Sequence, residues 1–253
     1  MAQNIYDDAK FFKNYSNLDR STKGYNGTFE WPYLRDLLGD IKGKKILDLG
    51  TGFGWFCRES IKEMGAKEAL GVDISENMLT RAKELTVDEV FKDKIRYQRQ
   101  DLENIDLGDE KFDLVFSIFV CHYIKNIENL FRHIYDHLNV GGEFEFSIEH
   151  PIFTCCKHIE PNFIPLPGSS NLIWPVSHYN NEGDRVTNWL AEGVIKQHRT
   201  VATYVNTLIK VGFTITHLQE WYPTEEQIKA NPNANLHMEI DRPLILILKV
   251  KKN

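Results

Sequence analysis

The stretch Ile46-Leu47-Asp48-Leu49-Gly50-Thr51-Gly52-Phe53-Gly54 is the most informative part of this chain. It begins as a short apolar run with a single acid, which is typical of a buried parallel strand. The alternating glycines that follow allow the backbone to turn sharply and to approach a ligand closely. A helix is predicted directly after this turn, over about residues 55–64. The sequence therefore predicts a ligand-binding crevice at the end of the first strand of a sheet.

The charge of Asp48 separates two classes of ligand. A dinucleotide places its anionic pyrophosphate over such a turn, where a carboxylate would repel it. The same carboxylate would attract the sulfonium and ammonium groups of S-adenosylmethionine, which has no phosphate. In the spacing Gly50-x-Gly52-x-Gly54, the third glycine also comes one residue too early for the dinucleotide pattern. An NAD(P)-dependent reductase is therefore the less favoured alternative.

A second acid follows at the expected distance. Residues 69–72 form another apolar run, which ends in Asp73, 23 positions after Gly50. A carboxylate at the tip of the second strand can accept hydrogen bonds from both hydroxyls of a ribose. Ser75 then has the place and the chemistry of an N-cap for a helix over residues 76–85. The two segments together indicate a site for a nucleoside that carries a positive charge.

With these motifs the chain resembles the class I S-adenosylmethionine-dependent methyltransferases, and within them the ubiquinone/menaquinone-biosynthesis-like (methyltransferase type 11) group. The specific motifs of the family lie within about residues 30–150, and the resemblance is weaker from residue 151 onward. It implies an α/β fold with a Rossmann-like, seven-stranded, mostly parallel sheet, an antiparallel last strand, helices on both faces and an inserted cap after strand five. It also implies S-adenosyl-L-methionine as cofactor and S-adenosyl-L-homocysteine as product.

The resemblance also implies which residues contact the cofactor. These are Asp48, Gly50, Thr51, Gly52, Asp73, Ile74, Met78, Asp101, Leu102 and Ser117. Ile74 and Met78 match positions that pack against adenine, and Asp101 matches an acid that accepts from its exocyclic amine. Two alternatives stay open, because Met78 would equally suit a core position and Asp101 would equally suit the cap of a turn.

Four further residues are candidates for handling the acceptor. His122 lies just past strand four and His150 just past strand five, so both imidazoles are expected to point into one crevice at the strand ends. Either is a candidate catalytic base near neutral pH, and the alternative is a hydrogen bond to a loop or to the cofactor. Glu149 and Arg199 are candidate substrate-binding residues, with loop orientation and a structural contact as their alternatives. No metal site is expected.

The rest of the chain predicts how this site is built into a single domain of 253 residues. Residues 1–29 are expected to cover the site, 30–150 to bind the cofactor, 151–199 to form a substrate-side insertion, and 200–253 to add a helix and two strands. Strands are predicted over about 44–50, 68–73, 95–99, 113–119, 143–148, 213–218 and 244–250. Within the insertion a hairpin is expected between residues 176–179 and 185–189.

Composition narrows the function classes. The net charge of −6 argues against a nucleic-acid groove, and no apolar run is long enough to span a membrane. Four cysteines without a C-x-x-C pair, and a start unlike a signal peptide, favour reduced thiols in the cytoplasm. We expect methyl transfer to O, N or C of a small molecule by a monomer or homodimer. The alternative function is a non-enzymatic S-adenosylmethionine-binding module.

Overall fold

The structure is a computed structural model that describes residues 3–158 and 162–253. Its strands are β1 Lys45–Leu49, β2 Glu68–Asp73, β3 Ile95–Arg99, β4 Phe112–Ile118, β5 Leu138–Glu149, β6 Ile164–Pro165, β7 Leu172–Ile173, β8 Gly183–Trp189, β9 Ala191–His198, β10 Thr214–Trp221 and β11 Ile245–Lys251. Its α-helices are α1 Ala9–Ser16, α2 Asp19–Thr22, α3 Trp31–Leu38, α4 Trp55–Lys62, α5 Glu76–Leu85, α6 Ile127–His137, α7 Pro151–Thr154, α8 Val201–Val211, α9 Glu225–Ala230 and α10 Met238–Asp241.

Seven strands form one sheet in the order β3-β2-β1-β4-β5-β11-β10. The pairs β1–β2, β1–β4, β2–β3 and β4–β5 are parallel, whereas β11 is antiparallel to both β5 and β10. The predicted fold class is therefore confirmed, including the antiparallel last strand. The strand order reverses between β1 and β4, which is where ligands bind in open α/β sheets.

The period-two alternation of β1 distributes its side chains between two apolar layers. Leu47 and Leu49 pack with residues of α6 and α8 on one face of the sheet. Ile46 packs on the other face with Trp31 of α3 and Phe56 of α4. Asp48 shares that second face, so its carboxylate lies buried at the start of α4 rather than in water.

The sequence predicted the wrong strand pairing for the hairpin in the insertion. β8 covers the predicted strand at 185–189, but its partner is β9, which follows after the single residue Leu190. Leu190 adopts a left-handed conformation with φ of +61°, which the sequence does not signal, because leucine rarely adopts it. A second correction concerns the segment between β10 and β11, which contains α9 and α10 instead of a plain loop.

Several hydrogen bonds hold the N-terminal segment, residues 3–29, across the carboxyl ends of the strands, and two groups of them lie near its start. The Ser75 hydroxyl and the Asn77 amide donate to Asp7, at 2.5 and 3.1 Å, at the start of α5. The side chain of Gln3 hydrogen-bonds Gly193 O and Ile195 N of β9, both at 2.9 Å.

Among the described residues, no helix is long and apolar enough to cross a lipid bilayer.

Candidate functional site

A cavity of about 330 Å³ lies beyond the carboxyl ends of β1, β2, β4 and β5. We call it the first cavity. Of the predicted site residues, those that line it are Gly50, Gly52, Asp73, Ile74, Met78, Asp101, Leu102, His122 and Glu149. A smaller extension of about 80 Å³ is lined by Asp48, Thr51, Gly50 and Gly52. The predicted cofactor residues are thus brought together, apart from Ser117, whose buried hydroxyl donates to Leu49 O at 3.1 Å.

The glycine turn forms one wall of the first cavity with its backbone. Gly50, Gly52 and Gly54 all have left-handed φ values, of +66°, +53° and +72°. A Cβ atom on Gly50 would also come within 2.3 Å of the Val120 Cγ2 atom. Position 50 therefore requires glycine for two separate reasons, which are its backbone conformation and the close approach of a neighbouring side chain.

Asp73 joins the tip of β2 to the glycine turn. Its two carboxylate oxygens accept hydrogen bonds from the backbone amides of Gly52 and Ser75, both at 2.9 Å. Burial raises the pKa of Asp73 to about 6, although these hydrogen bonds oppose the shift. Two backbone donors fix the orientation of the side chain, which also forms part of the cavity wall. The carboxylate is therefore held in place before any ligand binds.

Asp48 lies behind the turn, as the sequence predicts. It accepts a hydrogen bond of 2.6 Å from the Thr51 hydroxyl and lies 3.5 Å from the Cys57 sulfur. Burial raises the pKa of Asp48 to about 7, and the nearby charge of Asp73 adds to the increase. Two buried carboxyl groups without a bound cation are costly, so this end of the cavity favours a positively charged ligand.

The far wall of the first cavity is largely apolar. Ile74, Met78 and Leu102 line it, and Met78 is at the same time 1% exposed and part of the buried interior. The Glu103 backbone amide donates a hydrogen bond of 3.0 Å to the Asp101 side chain. Asp101 therefore caps the turn, which is one of its two predicted roles. Asp101 also lines the first cavity, so capping the turn and contacting a ligand are compatible.

His122 is buried in a short 3₁₀ turn, Cys121–Tyr123, after β4. Its Nδ1 atom accepts a hydrogen bond of 3.3 Å from the Glu149 amide. Burial lowers the pKa of His122 well below its usual value, and the charges of Lys196 and Arg199 lower it further. A neutral ring that accepts at Nδ1 carries its proton on Nε2. His122 is therefore arranged as a hydrogen-bond donor at Nε2 rather than as a base.

Two predicted residues, His150 and Arg199, are not brought to the first cavity or its extension. The expectation that both imidazoles point into one crevice is wrong for His150, because this residue is the N-cap of α7. Its Nδ1 atom accepts from the Ile152 amide and its Nε2 atom lies 3.0 Å from Glu220. The Arg199 guanidinium donates instead to the carbonyl of Lys125 at 2.8 Å and to the preceding carbonyl.

Sequence reasoning missed two cationic residues of the site. Arg20 of α2 lines both the first cavity and its extension, pairs with Glu30 at 3.1 Å and lies 4.8 Å from the centre of the Phe119 ring. Lys196 of β9 is 3% exposed, and its ammonium lies 2.5 Å from the Glu149 carboxylate. Polar, aromatic-rich composition indicated a covering N-terminal segment, but no local signal marked either cation.

A sheet of this order, with an acid–glycine turn at the switch point and a second acid at the tip of β2, agrees with the class I methyltransferase fold that the resemblance implies. The comparisons agree with this class. The family model "Methyltransferase domain" matches residues 46–142. The structure of an S-adenosylmethionine-dependent methyltransferase from Mesorhizobium loti is 42% identical, with a TM-score of 0.82, and the match covers 90% of this chain and all of that one.

Two curated relatives extend the comparison. An uncharacterized protein of Haemophilus influenzae is 34% identical over 250 residues, which are 98% of this chain and 96% of the relative. A demethylmenaquinone methyltransferase of Bacteroides fragilis is 27% identical over 105 residues, which are 42% of this chain and 43% of that protein. The chain belongs to the S-adenosylmethionine-dependent methyltransferases, and S-adenosylmethionine is its methyl donor.

Proposed function

We propose that this methyltransferase acts on a small molecule whose nucleophile is an O–H or N–H group. The proposal is carried by Glu149, which lines the first cavity. One of its oxygens, Oε1, is paired with Lys196. The other, Oε2, is buried and has no hydrogen-bond partner among the described residues. A buried acceptor without a donor is unfavourable, and a proton-bearing nucleophile would satisfy it.

The cofactor fits the residues of the first cavity, and we assign them as follows. Asp73 accepts from the ribose hydroxyls, while Ile74, Met78 and Leu102 pack around the adenine, whose amine donates to Asp101. The methionine part lies along the glycine turn, formed by Gly50, Thr51 and Gly52, near Asp48 and the strand end at Ser117. Arg20 binds the carboxylate of the cofactor. Within the described part of the chain, it is the one cationic residue that lines both the first cavity and its extension.

The protein contributes to the reaction in three ways. When bound, the cofactor supplies a methyl carbon that a nucleophile can displace from sulfur, and the electron pair of the broken bond stays on sulfur. Glu149 Oε2 receives the proton of the acceptor, a contribution of roughly 10²–10⁴-fold to the rate. His122 Nε2 donates a hydrogen bond that orients the acceptor. The N-terminal segment excludes water, since Tyr6 and Tyr15 line the cavity and their rings lie 5.5 Å apart.

The acceptor is proposed to be a small molecule for two reasons. The cavity is enclosed by the N-terminal segment and the β8–β9 hairpin, since it is lined by Gln3, Tyr6 and Trp189, which leaves little room for a polymer strand. The relative from Bacteroides fragilis is named for demethylmenaquinone, which is also a small molecule. The roles proposed at the sequence level for His150 and Arg199 are not retained, because neither residue lines the first cavity.

The test is turnover with S-adenosylmethionine labelled in its methyl group, offered together with fractions of low-molecular-weight metabolites. We expect release of S-adenosylhomocysteine and one metabolite that gains the mass of a methyl group. In Glu149→Gln, turnover should fall by roughly 10²-fold or more, while calorimetry should show cofactor affinity within about twofold of the parent. Label found only in macromolecules, or full turnover by Glu149→Gln, would contradict the proposal.

A further inference from the structure

A second cavity, of about 320 Å³, adjoins the first. It lies inside the insertion, between α7 and the β8–β9 hairpin, and Phe153, Arg185 and Lys196 are among its lining residues. It shares Glu149, Trp189 and Leu244 with the first cavity. A molecule in the second cavity can therefore reach Glu149 without lying against the glycine turn.

From this arrangement we infer that the second cavity is the acceptor site and that it selects a one-ring molecule carrying an anionic group, such as a carboxylate. The anionic group pairs with Lys196, and the ring packs against Trp189 and Phe153. The inference rests on the proposed function, because it names the substrate class for the same transfer. Methyl transfer then occurs where the two cavities meet, at Glu149.

The charges that line the second cavity do not balance. Lys196 and Arg185 are 3% and 4% exposed, whereas Glu149 is the single carboxylate among the described residues that line this cavity. The Arg185 guanidinium donates to backbone carbonyls, including those of Cys155 at 3.1 Å and Asn181 at 2.6 Å. Among the described residues it has no carboxylate within ion-pair distance. One positive charge is thus left over, and because an unbalanced buried charge is costly, the cavity favours a ligand with one negative charge.

Lys196 is placed to bind an anion and Glu149 at the same time. Its ammonium group has three donors, of which one binds Glu149 Oε1 at 2.5 Å. The same ammonium lies 5.3 Å from the centre of the Trp189 ring. An anion in the second cavity can therefore bind Lys196 without breaking its pair with Glu149.

The shape of the lining favours a flat ligand. The aromatic side chains of Phe153 and Trp189 and the apolar side chain of Leu244 face the space. Aromatic rings gain about 0.5–1.5 kcal/mol from well-oriented ring contacts beyond simple burial. A volume of about 320 Å³ lies at the lower end of ligand pockets, which begin at about 300 Å³, so we expect one ring rather than several.

Another cation near this space, Arg242, is already paired. Arg242 lies behind Phe153 and Trp174, at 4.8 and 4.6 Å from their ring centres. Its guanidinium lies 2.6 Å from the carboxylate of Glu239. Arg242 therefore supports the aromatic wall and does not supply a binding charge for the ligand.

The experiment measures binding of three probes, benzoate, benzyl alcohol and benzylamine, to the whole protein saturated with S-adenosylhomocysteine. Saturation fills the first cavity, so that the probes report on the second. We expect benzoate to bind at least tenfold more tightly than benzyl alcohol, and benzylamine to bind more weakly than both. Absence of benzoate binding, or benzylamine binding as tightly as benzoate, would overturn the inference.

Two substitutions locate the charge that selects the probe. Lys196→Met should weaken benzoate binding at least tenfold and leave S-adenosylhomocysteine affinity within twofold. Lys157→Met is the matched control, because Lys157 is an exposed lysine of the same insertion, and it should bind benzoate like the parent. Lys196→Gln serves as a second variant if Lys196→Met fails to bind S-adenosylhomocysteine. Parental benzoate affinity in the Lys196 variants would show that Lys196 does not select the ligand.

The readouts separate this inference from the proposed function. If the parent protein binds S-adenosylhomocysteine and turns over a metabolite but rejects benzoate, the substrate class is wrong and the proposed methyl transfer stands. If the parent shows no turnover with any metabolite fraction, the proposed function fails, whatever the result with benzoate.

Discussion

The two cavities of this protein are built in different ways. The first is made mainly by consecutive strand–turn units between β1 and β4, and its critical wall is the backbone of a glycine turn. The second is made by side chains from α7, from the β8–β9 hairpin and from Glu149 and Leu244. The proposed cofactor site is therefore built by local geometry, while the proposed acceptor site is built by residues that lie far apart in sequence. Two predictions test the first cavity, and a third, at a buried acid away from both cavities, provides the contrast.

The largest effect is expected for Gly50→Ala, with Gly43→Ala as its matched control. Both glycines have left-handed φ values, +66° and +75°, but a Cβ atom meets Val120 at 2.3 Å only at position 50. The shared conformational cost is about 1–2 kcal/mol, and the clash adds roughly 1–3 kcal/mol at position 50. Denaturant unfolding and calorimetry should show greater destabilisation and loss of cofactor binding for Gly50→Ala alone. Equal behaviour of the two variants would mean that the turn is not a close-packed wall.

A somewhat smaller loss of cofactor binding is expected for Asp73→Ala. The side chain is proposed to accept two charge-assisted hydrogen bonds from the cofactor, each worth roughly 1.5–3 kcal/mol. Affinity for S-adenosylhomocysteine should fall about 100-fold or more, at about 1.4 kcal/mol for each tenfold. Asp109→Ala, at an exposed position, should bind like the parent. Unchanged affinity in a folded Asp73→Ala variant would remove Asp73 from the site.

The smallest effect on cofactor binding is expected for Glu145→Gln, on β5 away from both cavities. Burial raises the pKa of Glu145 to about 8, and neither of its oxygens has a hydrogen-bond partner among the described residues. A raised carboxyl pKa favours the neutral acid in the folded state, so the parent loses stability as pH rises from about 4.5 towards 8.

The Glu145→Gln variant should escape this loss. At pH 8 it should be more stable than the parent by roughly 3–5 kcal/mol, and the difference should vanish near pH 4. Cofactor affinity should not change, in contrast to Asp73, which is also a buried acid. Urea unfolding at several pH values checks the first point and calorimetry the second. A gain that does not depend on pH would show that ionisation of Glu145 is not its cause.

The sequence predicted the first cavity well because its determinants are local. Apolar runs, glycine spacing and terminal acids placed β1 to β4 within about a residue of their observed bounds, and nine predicted residues line the cavity. His150 could not be placed, since its side chain direction depends on the start of α7 and on Glu220 of a distant strand. Lys196 was missed because its importance arises from Glu149, 47 residues away.

The attachment of the N-terminal segment has a consequence for how this protein can change. Asp7 is hydrogen-bonded to the start of α5, which follows Asp73, and Gln3, only four positions earlier, is hydrogen-bonded to the β8–β9 hairpin. A mutation that reshapes the hairpin will therefore also displace the segment that covers the first cavity. We expect a change of acceptor specificity to need paired changes, one in the hairpin and one at the start of α5.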